Sequence, residues 1–116
     1  MVFTSKGQVE DFIRNGNTLE NQMVNKIDLS GLTLDNASLI RVLFVDTDLS
    51  SGVYKQGVFE SVTFNNVTLK NTLFSGVDLT GAIFINCDCE ETTFDNCDLS
   101  GAMFLVDNKT LSSFFL

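Results

Sequence analysis

Few residues in this chain could carry nucleophilic or acid–base chemistry. It contains no histidine, so neither a Ser-His-Asp nor a Cys-His arrangement can be assembled. Its three cysteines, Cys87, Cys89 and Cys97, lack the CxxC spacing of a zinc or redox site and are read as compact apolar core residues. Glu90-Glu91 is a carboxylate pair, but nothing in the flanking sequence shapes a pocket around it, so a solvated face is expected. Gly76, Gly81 and Gly101 are spread along the chain and form no phosphate loop. The chain is therefore read as a non-enzyme, with no catalytic residue, no metal ligand and no cofactor.

Charge is the next constraint. The formal net charge is −8. All of it sits between residues 27 and 106, where eleven carboxylates face only Arg41, Lys55 and Lys70. Such a surface disfavours direct binding to nucleic acid, which needs a basic face. Met1 to Gly7 has no apolar signal region. The longest apolar run, Ala102 to Val106, is far short of the roughly 20 residues that a spanning helix needs. No membrane contact is expected, and a cytoplasmic location is. With three unpaired cysteines, a secreted disulfide scaffold is not.

The elements that must position any surface follow from a period of five. Stepping from Leu29 gives Leu34, Leu39, Phe44, Leu49, Tyr54, Phe59, Phe64, Leu69, Phe74, Leu79, Phe84, Cys89, Phe94, Leu99 and Phe104, so fourteen of sixteen positions are Leu or Phe. Two residues before each centre, from Ala37 onward, the side chain is always small or β-branched. Neither a helix nor a strand has this period, so the chain must fold by repetition. Each unit holds one bulky and one compact inward residue and leaves three positions for solvent.

Ile27-Asp28-Leu29-Ser30-Gly31, Val77-Asp78-Leu79-Thr80-Gly81 and Cys97-Asp98-Leu99-Ser100-Gly101 carry a family signature. The chain resembles the pentapeptide-repeat family over sixteen consecutive units, about two thirds of its length. That resemblance implies an all-β fold: a right-handed quadrilateral β-helix with four units to a coil, so about four coils over residues 27–106. Residues 1–26 are assigned to an N-terminal cap with a helix near 5–15. Ser5 and Gln8 form a capping box, Val9, Phe12 and Ile13 an apolar stripe, and Gly16 a stop. Leu19 and Val24 are read as an irregular lead-in, and the large Ile27 and Leu32 as contacts for the cap. Tyr54, the largest centre, is matched by Gly52 and Gly57 at compact positions, which conserves interior volume. Residues 107–116 are an apolar tail, in which Leu111, Phe114, Phe115 and Leu116 either cover the last coil or join two chains end to end.

With four units per coil, residues twenty apart stack on one wall. The first wall is acidic and hydroxylic, with Asp28, Asp48, Asp88, Glu90 and Glu91, while Glu60, Asp78 and Asp98 fall on the third. The fourth wall carries Leu43, Val45, Ile83, Ile85, Met103 and Leu105 outward, interrupted by Thr63 and Asn65. An apolar stripe where the repeat expects Asp and Ser reads as a contact surface, covered by the chain's own tail or cap, by another protein, or by a second copy in a homodimer. The leading expectation is a non-catalytic protein–protein interaction module.

The stretch from Phe12 to Leu32 is similar to pentapeptide regions of bacterial type VI secretion accessory proteins, which implies an adaptor or immunity-like role in a bacterial cytoplasm. Resemblance to gyrase-protecting members of the family implies a second role, a DNA mimic that regulates DNA gyrase. Four coils at about 4.8 Å give a shaft of roughly 19 Å, over which duplex DNA carries about 11 charges, the same order as this chain's excess. A third expectation is a structural repeat without a dedicated partner.

Overall fold

The computed structural model describes residues 2–105. One helix, α1 (Lys6–Arg14), precedes twelve short strands. These are β1 (Leu19–Glu20), β2 (Met23–Asn25), β3 (Thr33–Asp35), β4 (Ser38–Ile40), β5 (Leu43–Val45), β6 (Val53–Lys55), β7 (Val58–Glu60), β8 (Thr63–Asn65), β9 (Leu73–Ser75), β10 (Ile83–Ile85), β11 (Thr93–Asp95) and β12 (Met103–Leu105). Every pairing is parallel and joins residues twenty apart. The result is a four-sided β-solenoid. Three walls are the sheets β3-β6-β9-β11, β1-β4-β7 and β2-β5-β8-β10-β12, which form the second, third and fourth walls. The first wall is a column of single bridges from Asp28 through Asp48 and Thr68 to Asp88.

The corners explain the period. Every fifth residue from Asn21 to Gly101 has a positive φ, between 50° and 72°. Thirteen of these positions are not glycine, and six are Asn, which tolerates the left-handed region by bonding locally. Between corners, each three-residue strand points its middle residue inward. Phe64, Phe74 and Phe84 are wholly buried, as are Leu29, Leu69 and Leu79. The strict register stacks like on like. Phe44, Phe64, Phe84 and Phe104 form one column, with ring centroids 5.5, 4.7 and 4.5 Å apart and planes within 9°. Tyr54, Phe74 and Phe94 form a second, at 5.2 Å per step, meeting the first edge to face. Each such pair adds about 0.5–1.5 kcal/mol to the area it buries.

The compact inward positions do more than leave room. Thr72 and Thr92 donate their hydroxyls to the Leu49 and Leu69 carbonyls at 2.8 and 2.6 Å, and Thr47 reaches Val24 O. Cys87 and Cys97 make the same bond through sulfur, to Phe64 O and Phe74 O at 3.2 and 3.3 Å. A small donor at this place ties each coil to the one before it.

The solenoid begins earlier than residue 27. Leu19 and Val24 are wholly buried, and their strands pair with β4 and β5, so they supply a regular half-coil and not an irregular lead-in. Helix α1 closes the other half of that end. Ser5 Oγ accepts from Gln8 N, and Gln8 Oε1 reaches back to Thr4 N at 2.7 Å, one residue beyond the cap itself. Asn15 caps the other end, followed by Gly16 at φ 86°. Val9 and Ile13 are buried, and Phe12 meets Phe3 edge to face at 5.6 Å.

Two basic side chains finish the seal. One coil later, Ser50 O accepts from Gly31 N. Ser30 has no coil before it and takes Lys6 Nζ instead, at 2.6 Å, while Arg14 Nη2 donates to Thr33 O at 3.2 Å. Replacing Lys6 with Met removes a charged donor and leaves a part-buried carbonyl open. We expect a loss of about 1–2 kcal/mol in urea unfolding, with the m-value unchanged.

Under α1, a small cavity is lined by Val9, Ile13, Leu32, Leu34, Leu39, Phe44, Leu49, Tyr54 and Phe59. Tyr54 is 2% exposed, and its hydroxyl has no hydrogen-bond partner among the described residues. It fits only because residue 52 is glycine, since a Cβ there would lie 2.8 Å from the hydroxyl oxygen. Burial pushes its pKa well above the ordinary tyrosine value. Tyr54→Phe removes an unpaired polar atom and keeps the ring stack. It should raise stability by about 1 kcal/mol, read as a higher unfolding midpoint.

Candidate interaction surface

The fourth wall holds two outward ladders. Met23, Leu43, Thr63, Ile83 and Met103 run along one side of the buried centres. Asn25, Val45, Asn65, Ile85 and Leu105 run along the other. All six residues expected on this surface lie on it: Leu43, Val45, Ile83, Ile85, Met103 and Leu105. Met103 and Leu105 are the most open of them, at 49% and 46% exposure. Met23, at 56%, extends the first ladder by a coil. Its unit lay outside the repeats counted in the sequence, although its place twenty residues before Leu43 would have found it.

Thr63 and Asn65 divide the wall. Met23, Leu43 and Val45 lie on one side of them, and Ile83, Ile85, Met103 and Leu105 form a continuous patch on the other. None of the ten outward residues is charged. The rims are polar. Along the edge shared with the third wall run the corners Asn21, Arg41, Ser61, Gly81 and Gly101. Arg41 bonds Glu20 at 2.7 Å and Asn21 at 2.9 Å. Along the edge shared with the first wall run Lys26, Asp46, Asn66 and Asn86, where Asp46 accepts from Asn66 at 2.6 Å.

The acidic face is a separate surface. Asp28, Asp48 and Asp88 stack in one bridged column, with Thr68 between the last two. Each carboxylate accepts from the backbone two residues on, at Ser30, Ser50 and Glu90. Glu90 also pairs with Lys70 at 3.2 Å, and Glu91 occupies a corner at φ 62°. On the third wall, Asp98 accepts from both Ser100 N and Ser100 Oγ, at 2.9 and 2.6 Å. Those bonds hold its carboxyl below the usual range, and Ser30 does the same for Asp28.

The remaining chemistry-bearing residues face inward. Cys87 and Cys89 are buried free thiols, pushed by burial to about 11 and about 12, so both stay protonated near neutral pH. No group of three or more His, Cys, Asp or Glu that could hold a metal occurs among the described residues. Nor is any helix among them long and apolar enough to cross a membrane. The expected cap or dimer contacts Leu111, Phe114, Phe115 and Leu116 lie outside the described residues.

A pH test follows from Asp98. Its depressed pKa means that the folded state gains from ionisation above the unfolded carboxylate value and loses that gain as pH falls through the folded one. In Ser100→Ala, the hydroxyl bond goes and the amide bond stays. The Asp98 pKa, followed by NMR titration of its side-chain carboxyl carbon, should rise toward, but not reach, the ordinary value near 3.9.

Comparison with known proteins agrees with this geometry. Residues 63–101 match the family model for pentapeptide repeats, in eight copies. No curated protein matches the sequence significantly. Among solved structures, the chain is similar to Rfr23, a pentapeptide repeat protein of the cyanobacterium Cyanothece 51142. Identity is 18% and the TM-score 0.55, over 78% of this chain and 64% of that one, so this chain spans under two thirds of that relative. A pentapeptide repeat protein from the Arabidopsis thaliana thylakoid lumen is 18% identical over 70% of this chain and 60% of that one, with a TM-score of 0.38. QnrB1, a plasmid-mediated fluoroquinolone resistance protein, is 16% identical over 75% and 60%, at 0.28. Eight matched repeats, on a solenoid whose coils continue in one register to either side of them, show that this chain carries pentapeptide repeats.

Proposed function

We propose that this chain is a non-catalytic interaction module whose rigid β-solenoid presents the fourth wall to another protein. The observation that carries this reading is the uncharged, in-register pair of ladders ending in the patch Ile83, Ile85, Met103 and Leu105. Contact surfaces are depleted of charge at their centre and polar at their rim, and this wall has both properties. Its backbone is fixed by hydrogen bonds to the coils on either side, so little conformational entropy remains to be lost on binding. An adaptor or immunity-like role fits a module of this kind. Mimicry of duplex DNA would draw on the acidic columns instead. The first of these is interrupted by Thr68, and Lys70 beside it neutralises part of the field of Glu90 and Asp88.

The test is a paired substitution. Ile83→Asp with Ile85→Asp places charge on the patch while leaving Phe84 and the corners intact. The variant should keep the far-ultraviolet circular dichroism of the wild type and lose the proteins captured by it from the source cell. Retention of every captured partner would sink the reading.

A further inference from the structure

We infer that the fourth wall also takes a second copy of this chain, face to face about a two-fold axis parallel to the shaft. The inference rests on the reading of that wall as a contact surface and names one occupant for it. Three observations carry it.

Charge comes first. Two copies that each carry −8 repel over most of their surfaces. The outward residues of the fourth wall are uncharged, so two copies can meet there without setting carboxylate against carboxylate.

Self-complementarity comes second. A two-fold along the shaft keeps each coil at its own level and exchanges the two ladders. Leu43 of one copy then faces Val45 of the other, Ile83 faces Ile85, and Met103 faces Leu105. The polar pair falls on itself as well, with the Thr63 hydroxyl opposite the Asn65 amide, a donor–acceptor match and not a buried orphan. An isologous contact requires one surface to complement itself in this way.

The rims come third. The same rotation sets the corner carrying Arg41 against the partner's corner carrying Asp46, at the same level, and does so twice. Arg41 uses two donor atoms within its own chain, Nε and Nη2, and Asp46 one oxygen, Oδ1, so Nη1 and Oδ2 are left for the pair. Lys26 falls opposite Asn21, Asn66 opposite Ser61 and Asn86 opposite Gly81, so no like charges meet along either rim.

The size of the wall sets the strength. Five strands at about 4.8 Å and five residues of wall at about 3.3 Å give a face of roughly 24 by 16 Å. Two such faces come to about 770 Å², well below the roughly 1,200 Å² of a stable standard interface, so the dimer is weak and exchanges rapidly.

Sedimentation velocity on the full chain, from about 1 to 500 μM, tests this. The wild type should pass from monomer to dimer with a dissociation constant of tens of micromolar, roughly the strength of a small interface. Ile85→Asp should weaken it at least about tenfold, since symmetry buries the new charge twice. Arg41→Glu should weaken it about fivefold by setting like charges opposite each other, and Arg41→Glu combined with Asp46→Arg should recover most of that loss. Circular dichroism shows that each variant has folded.

A wild type that stays monomeric throughout would overturn the dimer. So would a dimer indifferent to Ile85→Asp, or a double reversal no better than the single one. These failures are distinct from that of the interaction module: a monomer whose captured partners still depend on Ile83 and Ile85 leaves the module standing, with an unrelated protein as occupant.

Discussion

The corner in the left-handed region, repeated every fifth residue, is the constraint on which the rest depends. Four such corners close a coil of twenty residues, so each side chain recurs directly above its equivalent. Without that closure the aromatic columns would not stack, the inward Thr and Cys would not meet the carbonyls of the preceding coil, and no wall would have a uniform character. The corners are also where the fold carries conformational cost. Non-glycine residues occupy thirteen of the seventeen corners, and a left-handed residue costs about 1–2 kcal/mol where nothing offsets it. The offset comes from the coil-to-coil bonds that the corners make possible, such as Lys26 N to Val45 O and Asn66 N to Ile85 O. Corner and ladder are therefore one cooperative unit.

A solenoid built this way has a problem at its first coil, because its backbone acceptors there have no earlier coil to pair with. The molecule meets it with a half-coil from β1 and β2 and with a helix whose apolar stripe covers the core. The helix also lends the Lys6 ammonium and the Arg14 guanidinium to the carbonyls of Ser30 and Thr33. Packing between a helix and the end of a β-helix lacks the exact repeat found inside it. The small cavity and the unpaired Tyr54 hydroxyl lie at that junction, where the register gives way to a different geometry.

How much of this could be read from the residues follows from the same physics. The period and the inward set are properties of single units, so they stand in the sequence directly: Phe64, Phe74 and Phe84 announce themselves. Compensation between Tyr54 and Gly52 was legible too, because both belong to one unit. The start of the solenoid was not. Leu19 and Val24 keep the period, but their units lack the flanking Asp, Ser and Gly that mark later ones, and only pairing with Leu39 and Phe44 shows them to be regular. The Lys6 contact joins residues 24 apart across two kinds of structure, so no repeat could signal it. Threonine at the compact positions looked like a matter of size, whereas its hydroxyl bonds explain its recurrence at Thr72 and Thr92. The apolar wall was legible once residues were sorted by twenties. Its division by Thr63 and Asn65 was visible in the same way, while the separation of its rims into an Arg41 edge and an Asp46 edge needed the coil.

The molecule supplies its own control for what that wall means. The first wall has the same left-handed corners, an inward centre in each unit and the same coil spacing, and it carries Asp28, Ser30, Asp48, Ser50, Asp88 and Glu90 outward. Leu29, Leu49 and Cys89 beneath those residues are buried, as are Phe44, Phe64 and Phe84 beneath the fourth wall. Outward apolar residues are thus not a requirement for closing a coil. Exposed Met103 and Leu105, and half-buried Ile83 and Ile85, gain little from the fold and put unshielded β-structure at risk of aggregation. On the reading proposed above, their presence on one wall is a property of what that wall meets.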